Sequence, residues 1–164
     1  MKSRIAVPGI LLFLSFLILA CNDRITEPSD ELTAKPVVIK TSINYSEQSF
    51  TASFPDTASL NSISRAYTNN YTVELRKKIL DYMKEEVSKL GENVNTFDRI
   101  LSVTGCKDNV GYILPTYAEK AQYENREAWV FQITYGLNFS DLGHSKCFVF
   151  DAATLDTLTY IQCR

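Results

Sequence analysis

The sequence predicts an α+β domain: one main helix packed on a curved, mostly antiparallel sheet of four to five strands. Three observations predict it. Apolar residues recur at helical spacing through residues 72–90, alternation with a period of two runs through 128–135, and the stretch from Cys147 to Cys163 reads as an apolar hairpin. A helix with one apolar stripe, followed by a meander of strands, buries that stripe by laying it on a sheet face.

The helix is the best-marked element. Thr72 is the expected N-cap, Glu74 lies in the first turn, Lys89 in the last, and Gly91 follows as the C′ residue. Leu75, Ile79, Tyr82, Met83, Val87 and Leu90 fall on one face. Glu74/Lys78 and Glu85/Lys89 add i,i+4 ion pairs on the polar side.

Strands fill the second half. Arg99 to Thr104 is short and β-leaning, and Gly111 to Leu114 reads as a strand stopped by Pro115. Ala118 to Tyr123 reads as a turn or two of helix. Trp129, Phe131, Ile133 and Tyr135 then share one strand face, which is expected to meet the helix. In the terminal hairpin, a turn centred on Leu155 sets Cys147 against Cys163, Val149 against Ile161 and Phe150 against Tyr160. That register matches apolar residues on both faces and predicts a Cys147–Cys163 disulfide. Cys106–Cys147 and Cys106–Cys163 stay open as alternatives.

The N-terminus carries a different signal. Lys2 and Arg4 precede an apolar run, Ile10 to Ala20, interrupted by Ser15 and closed by Cys21. This is the layout of a cleavable export signal. The run is shorter than the ~20 apolar residues of a membrane span. Ile18-Leu19-Ala20-Cys21 resembles the lipobox of bacterial lipoproteins. That resemblance implies cleavage before Cys21 and a diacylglycerol thioether on it. The expected organisation is a signal peptide over 1–20, a lipidated and mostly flexible tether over 21–59, and a single α+β domain over 60–164. Within the tether, Pro36 to Ile43 has strand composition and could add to a sheet edge. The expected location is the bacterial cell envelope, anchored by lipid to the outer membrane, with the domain outside the cytoplasm.

The whole chain has 17 Lys+Arg and 19 Asp+Glu, and losing residues 1–20 removes Lys2 and Arg4 but no acid. The mature chain is thus near −4, which argues against a nucleic-acid surface. The expected partners are the membrane, through the lipid on Cys21, and an envelope protein. No cofactor or metal is expected: there is one histidine, His144, and the cysteines lack metal-ligand spacing. A Cys–His pair for nucleophilic catalysis could be drawn only from His144 and Cys147, with Asp141 to orient the imidazole. The polar stretch from Gly136 to Ser145 is the candidate binding loop, with Asn138, Asp141 and His144 as its polar side chains.

Three resemblances bear on function. The helix-then-meander order, ending in the hairpin from Phe150 to Leu158, resembles cystatin-like and PepSY-like exported domains, in which one helix packs on an antiparallel sheet. Gln132-Ile133-Thr134-Tyr135-Gly136 resembles the Gln-x-Val-x-Gly wedge of cystatins, with Thr134 where Val belongs and no Pro-Trp second loop. Asp56-Thr57-Ala58 and Asp156-Thr157-Leu158 resemble O-glycosylation sites of exported Bacteroidota-type proteins. The expectation is therefore a lipid-anchored envelope protein with a non-catalytic binding or structural role. The alternatives are a cystatin-like cysteine-protease inhibitor and an envelope enzyme using His144.

Overall fold

The computed structural model describes residues 32–53, 66–67, 71–106, 112–136 and 142–163, with Cys163 described by its backbone alone. Cys21, Asn138 and Asp141 lie outside these residues. The unit that holds the described residues begins at Leu32. It is an α+β fold: strands β1 (Val37–Tyr45), β2 (Tyr112–Tyr123), β3 (Arg126–Gly136), β4 (His144–Asp151) and β5 (Thr157–Cys163) form one open sheet in the order β1-β2-β3-β4-β5. The helices described with both ends are α1 (Glu47–Ser53), α2 (Val73–Lys89) and α3 (Val94–Val103). None of the described helices is long and apolar enough to cross a membrane.

The expected helix forms as read. Thr72 is the N-cap, its hydroxyl accepting from the Leu75 N–H at 3.0 Å, and Gly91 takes φ +75° just past the end. Its buried face is Arg76, Ile79, Met83 and Val87. Of the residues expected as a short strand, 99–104, the first five instead belong to α3 and Thr104 is its C-cap. Asn93 caps that helix by accepting from the Asn95 N–H, and Phe97, Ile100 and Leu101 recur at helical spacing on its buried face. Gly105, again at φ +75°, ends it. So two helices rather than one main helix cover the face of the sheet that holds Trp129 and Phe131.

Three further expectations are corrected. Within the mostly flexible tether, the stretch with strand composition does add to a sheet edge, as β1, whereas residues 47–53, given no structure there, are α1. β1 joins the sheet parallel to β2, so the sheet is mixed, and it is neither closed nor strongly curled. Second, Pro115 does not stop its strand. It sits opposite Ile133 beside a register shift, where a missing N–H is tolerated, and β2 continues through residues 118–123, which were expected to be helical. The next two residues, Glu124 (φ 49°) and Asn125 (φ 62°), make the two-residue turn that twist-matches a tight hairpin. Their right-handed-twist requirement outweighs the helical preference of Ala118, Glu119 and Lys120.

The third correction is the hairpin register. Cys147 lies opposite Ile161 and Ser145 opposite Cys163, two residues away from the expected pairing. The cause is the turn. The Asp151 carboxylate accepts from the N–H groups of Ala153 (2.9 Å) and Thr154 (3.0 Å), and Leu155, at φ 64°, turns inward and is buried. The tip thus falls before Leu155. A two-residue slip preserves which face each side chain takes, but it changes the partners: Val149 faces Thr159, Phe150 faces Thr157, and Cys147 no longer faces Cys163. Diagonal cross-strand neighbours are about 7–8 Å apart, beyond normal disulfide reach. Cys147 is a buried thiol in the structure, so the expected Cys147–Cys163 bridge is not formed.

β3 is the centre of the fold. Trp129, Phe131 and Ile133 pack with Ile79, Met83, Val87 and Phe97 on the helix side. Phe97 meets Phe131 edge-on at 5.8 Å and Trp129 at 6.1 Å. On the opposite side, Ala128 and Val130 pack with Tyr45, Phe50, Tyr123, Cys147 and Val149. Phe131→Ala is expected to cost roughly 3–5 kcal/mol in urea or thermal unfolding, a large share of the ~5–15 kcal/mol that holds a typical domain. A loss below about 1 kcal/mol would mean that Phe131 is not enclosed as described.

Candidate functional site

Sheet geometry sorts the candidate residues. His144 opens β4 opposite Tyr135, on the helix side of the sheet, with the two rings 5.6 Å apart. Lys146 lies over the Tyr135 ring at 5.2 Å, and the Gln162 side-chain amide donates to the Tyr135 hydroxyl at 2.8 Å. Tyr135 is therefore the hub of a half-buried rim made by the ends of β3, β4 and β5. Of the candidate binding residues Asn138, Asp141 and His144, the described residues include His144 alone.

The catalytic pairing does not assemble. Successive side chains of a strand point to opposite faces, and His144 and Cys147 differ by an odd number of positions. His144 stacks with Tyr135, whereas Cys147 is fully buried with Val130 and Val149 on the other side. Cys106 is also inert: it is fully buried, and burial pushes its thiol from the ordinary 9.0 up to about 12. The backbone carbonyls of Gly105 and Cys106 accept from the buried Arg76 guanidinium, which places a cation just past the C-terminus of α3. Among the described residues no group of three or more His, Cys, Asp or Glu side chains could hold a metal ion.

The cystatin-like wedge is not displayed at a hairpin tip. Gln132 is fully buried in the middle of β3, paired with Tyr117 on one side and Cys147 on the other. Thr134 is buried too, and its hydroxyl donates to the His144 carbonyl at 3.2 Å. Thr157 of the second glycosylation-like motif is exposed at the start of β5, and the first motif lies outside the described residues.

The most fully built polar cluster was not read from the sequence at all. Glu119 on β2 is 0% exposed, on the side of the sheet that α1 packs against. One carboxylate oxygen accepts from the Thr41 hydroxyl at 2.5 Å. The other accepts from Tyr45 at 3.0 Å and Tyr117 at 2.8 Å. Burial, and then the carboxylate beside them, raise the Tyr45 and Tyr117 hydroxyls well above the ordinary tyrosine value. Thr41 and Tyr45 both belong to β1, so Glu119 ties the edge strand to its neighbour. Gln132 lies alongside, its buried amide oxygen and nitrogen making no hydrogen bond among the described residues. A carboxylate with three hydroxyl donors and no exposure can clamp strands; it cannot reach a substrate from solvent. No family model matches the chain, and no curated protein or solved structure matches it.

Two outcomes test this cluster. Glu119→Ala leaves one buried and two half-buried hydroxyls without their acceptor, and is expected to cost about 1.5–3 kcal/mol, with Glu119→Gln costing less because its amide oxygen still accepts. Hydrogen exchange should show β1 amides losing protection while β3 amides keep it; equal loss in both strands would deny Glu119 a role specific to β1. The second outcome concerns alkaline pH. Groups whose values are raised on folding contribute stability below their unfolded value, and lose it as pH rises toward the folded one. For Cys106 that window opens near 9.0 and runs to about 12, with the two tyrosines joining from about pH 10. Urea midpoints should therefore be level to about pH 8.5 and fall above it, and Cys106→Ala should delay the onset toward pH 10.

Proposed function

We propose that this chain is a lipid-anchored cell-envelope protein with a non-catalytic binding or structural role. The observation that carries the reading is the order Lys2 and Arg4, apolar run, then Ile18-Leu19-Ala20-Cys21. The first strand of the described residues, β1, is the one that the Glu119 hydroxyl cluster ties to the sheet, which suits a chain held from its N-terminal side.

Cys106 and Cys147 are enclosed on different sides of the sheet. A cluster of partly or fully exposed polar side chains lies at the rim formed by Tyr135, His144, Lys146 and Gln162. Rims of this kind, at strand ends on a rigid sheet, suit binding.

Metabolic labelling with a fatty acid tests the anchor. Wild-type chain should take label and fractionate with membranes; Cys21→Ser should take none and leave the membrane fraction. An unlabelled wild type would overturn the reading.

A further inference from the structure

We propose that the outer edge of β5 is the interface of a two-fold dimer, in which β5 of one copy pairs antiparallel with β5 of a second copy. β5 is the last strand of the sheet and bonds only to β4 among the described residues. An edge strand offers unpaired N–H and C=O groups along one side, and proteins blunt such edges with charges, prolines or bulges. The two edges of this sheet are treated differently. β1 carries Lys40, and its register shifts between Lys40 and Asn44. β5 reads Thr157-Leu158-Thr159-Tyr160-Ile161-Gln162-Cys163, with no charge, proline or glycine, in a chain in which 22% of residues are charged. Its irregularity lies at the start, between the Val149 and Phe150 pairings; from Thr159 onward the ladder is regular.

Side chains point to the same edge. None of the described side chains of β5 is buried, and Tyr160 is 61% exposed. Its ring lies 6.3 Å from Phe148, which stacks on the buried Phe150 at 5.7 Å. An aromatic ladder thus runs outward from the core and ends in solvent at the edge.

The strand's lack of charge selects the occupant. In a two-fold antiparallel pairing, the residue at the axis faces its own copy, and its neighbours face each other in mirror order. Any charge near the centre would therefore sit close to an identical charge, which destabilises a cross-strand pair. An uncharged strand escapes that penalty and offers nothing to a charged partner segment. With the axis close to Tyr160, the two exposed rings meet, and the pairing consumes both open edges. What remains at each end is the bulged, Lys-bearing β1, so the assembly closes as a dimer instead of propagating. This proposal stands whether or not Cys21 carries lipid.

The test uses the full chain as its host makes it, in detergent where membranes hold it, by sedimentation equilibrium at about 50 µM. The expected result is a dimer mass for wild type. Tyr160→Lys and Tyr160→Glu alone should each dimerise at least about tenfold more weakly, and an equimolar mixture of the two should recover the dimer. Val37→Lys, on the opposite edge, should leave the dimer intact. Emission from the buried Trp129 reports that each variant keeps its core; where a Tyr160 variant does not, Gln162→Lys, exposed two residues along, takes its place. A monomeric wild type, open-ended association, undiminished dimerisation of both Tyr160 variants, or loss of the dimer in Val37→Lys would each overturn the proposal.

Discussion

The placement of Glu119 is the constraint on which much of this architecture depends. A carboxylate fully removed from water is tolerated only when its oxygens are hydrogen-bonded, because the desolvation cost is otherwise several kcal/mol. Here the donors come from Tyr117 on its own strand and from Thr41 and Tyr45 on β1. The carboxylate is therefore satisfied only if β1 lies alongside β2 in the observed parallel register. Tyr45 reaches Glu119 across the register shift after Lys40, so the shift is part of the same arrangement. Once β1 is fixed, α1 follows after Ser46, and Phe50 packs edge-on against Tyr45 and Tyr123 at 6.1 and 6.2 Å. A polar cluster thereby sets where an apolar cluster can form.

That dependence explains what could be read from the sequence and what could not. α2 was legible because its signals are local: a cap at Thr72, a stripe at helical spacing, and a glycine free to take positive φ at position 91. β3 was legible because Trp129, Phe131 and Ile133 alternate without interruption. α3 was missed because residues 99–104, viewed alone, are β-leaning; the helical spacing appears only when Asn93 and Phe97 are included. β2 was cut short for a related reason. Pro115 reads as a stop when the bulge beside it, a property of the pairing with β3, is not visible. The Glu124-Asn125 turn was the available signal for a hairpin from 112 to 136, since Asn accepts positive φ more readily than most residues.

The candidate site shows the same division. His144 was legible as a polar residue at a strand boundary, and its ring does sit on the rim beside Tyr135. Its separation from Cys147 followed from strand parity, which the sequence supplied once both were placed on one strand. The Glu119 cluster was not legible, because a glutamate between Ala118 and Lys120 carries no local mark of burial. Its partners lie 74 and 78 residues away in the chain at Tyr45 and Thr41. Arg76 was hidden similarly: it falls beside the apolar stripe of α2, yet its guanidinium is drawn inward by the carbonyls of Gly105 and Cys106.

The register of the terminal hairpin shows how a small local interaction overrides a global pattern. Two registers that differ by two residues keep every side chain on the same face, because side-chain direction repeats with that period, and the observed one sets Val149 and Phe150 against Thr159 and Thr157. The choice between them falls to the turn, where the Asp151 carboxylate gathers two backbone N–H groups and Leu155 is drawn into the core. Those N–H bonds, Thr154 first and then Ala153, also hold the Asp151 carboxyl below the ordinary aspartate range, so the ionised form that makes the turn is the favoured one. The same choice moves Cys163 away from Cys147 and leaves Phe148 opposite Tyr160. One aspartate at a turn thus removes the pairing that a disulfide would need, and it sets the aromatic side chain that terminates the sheet at its open edge.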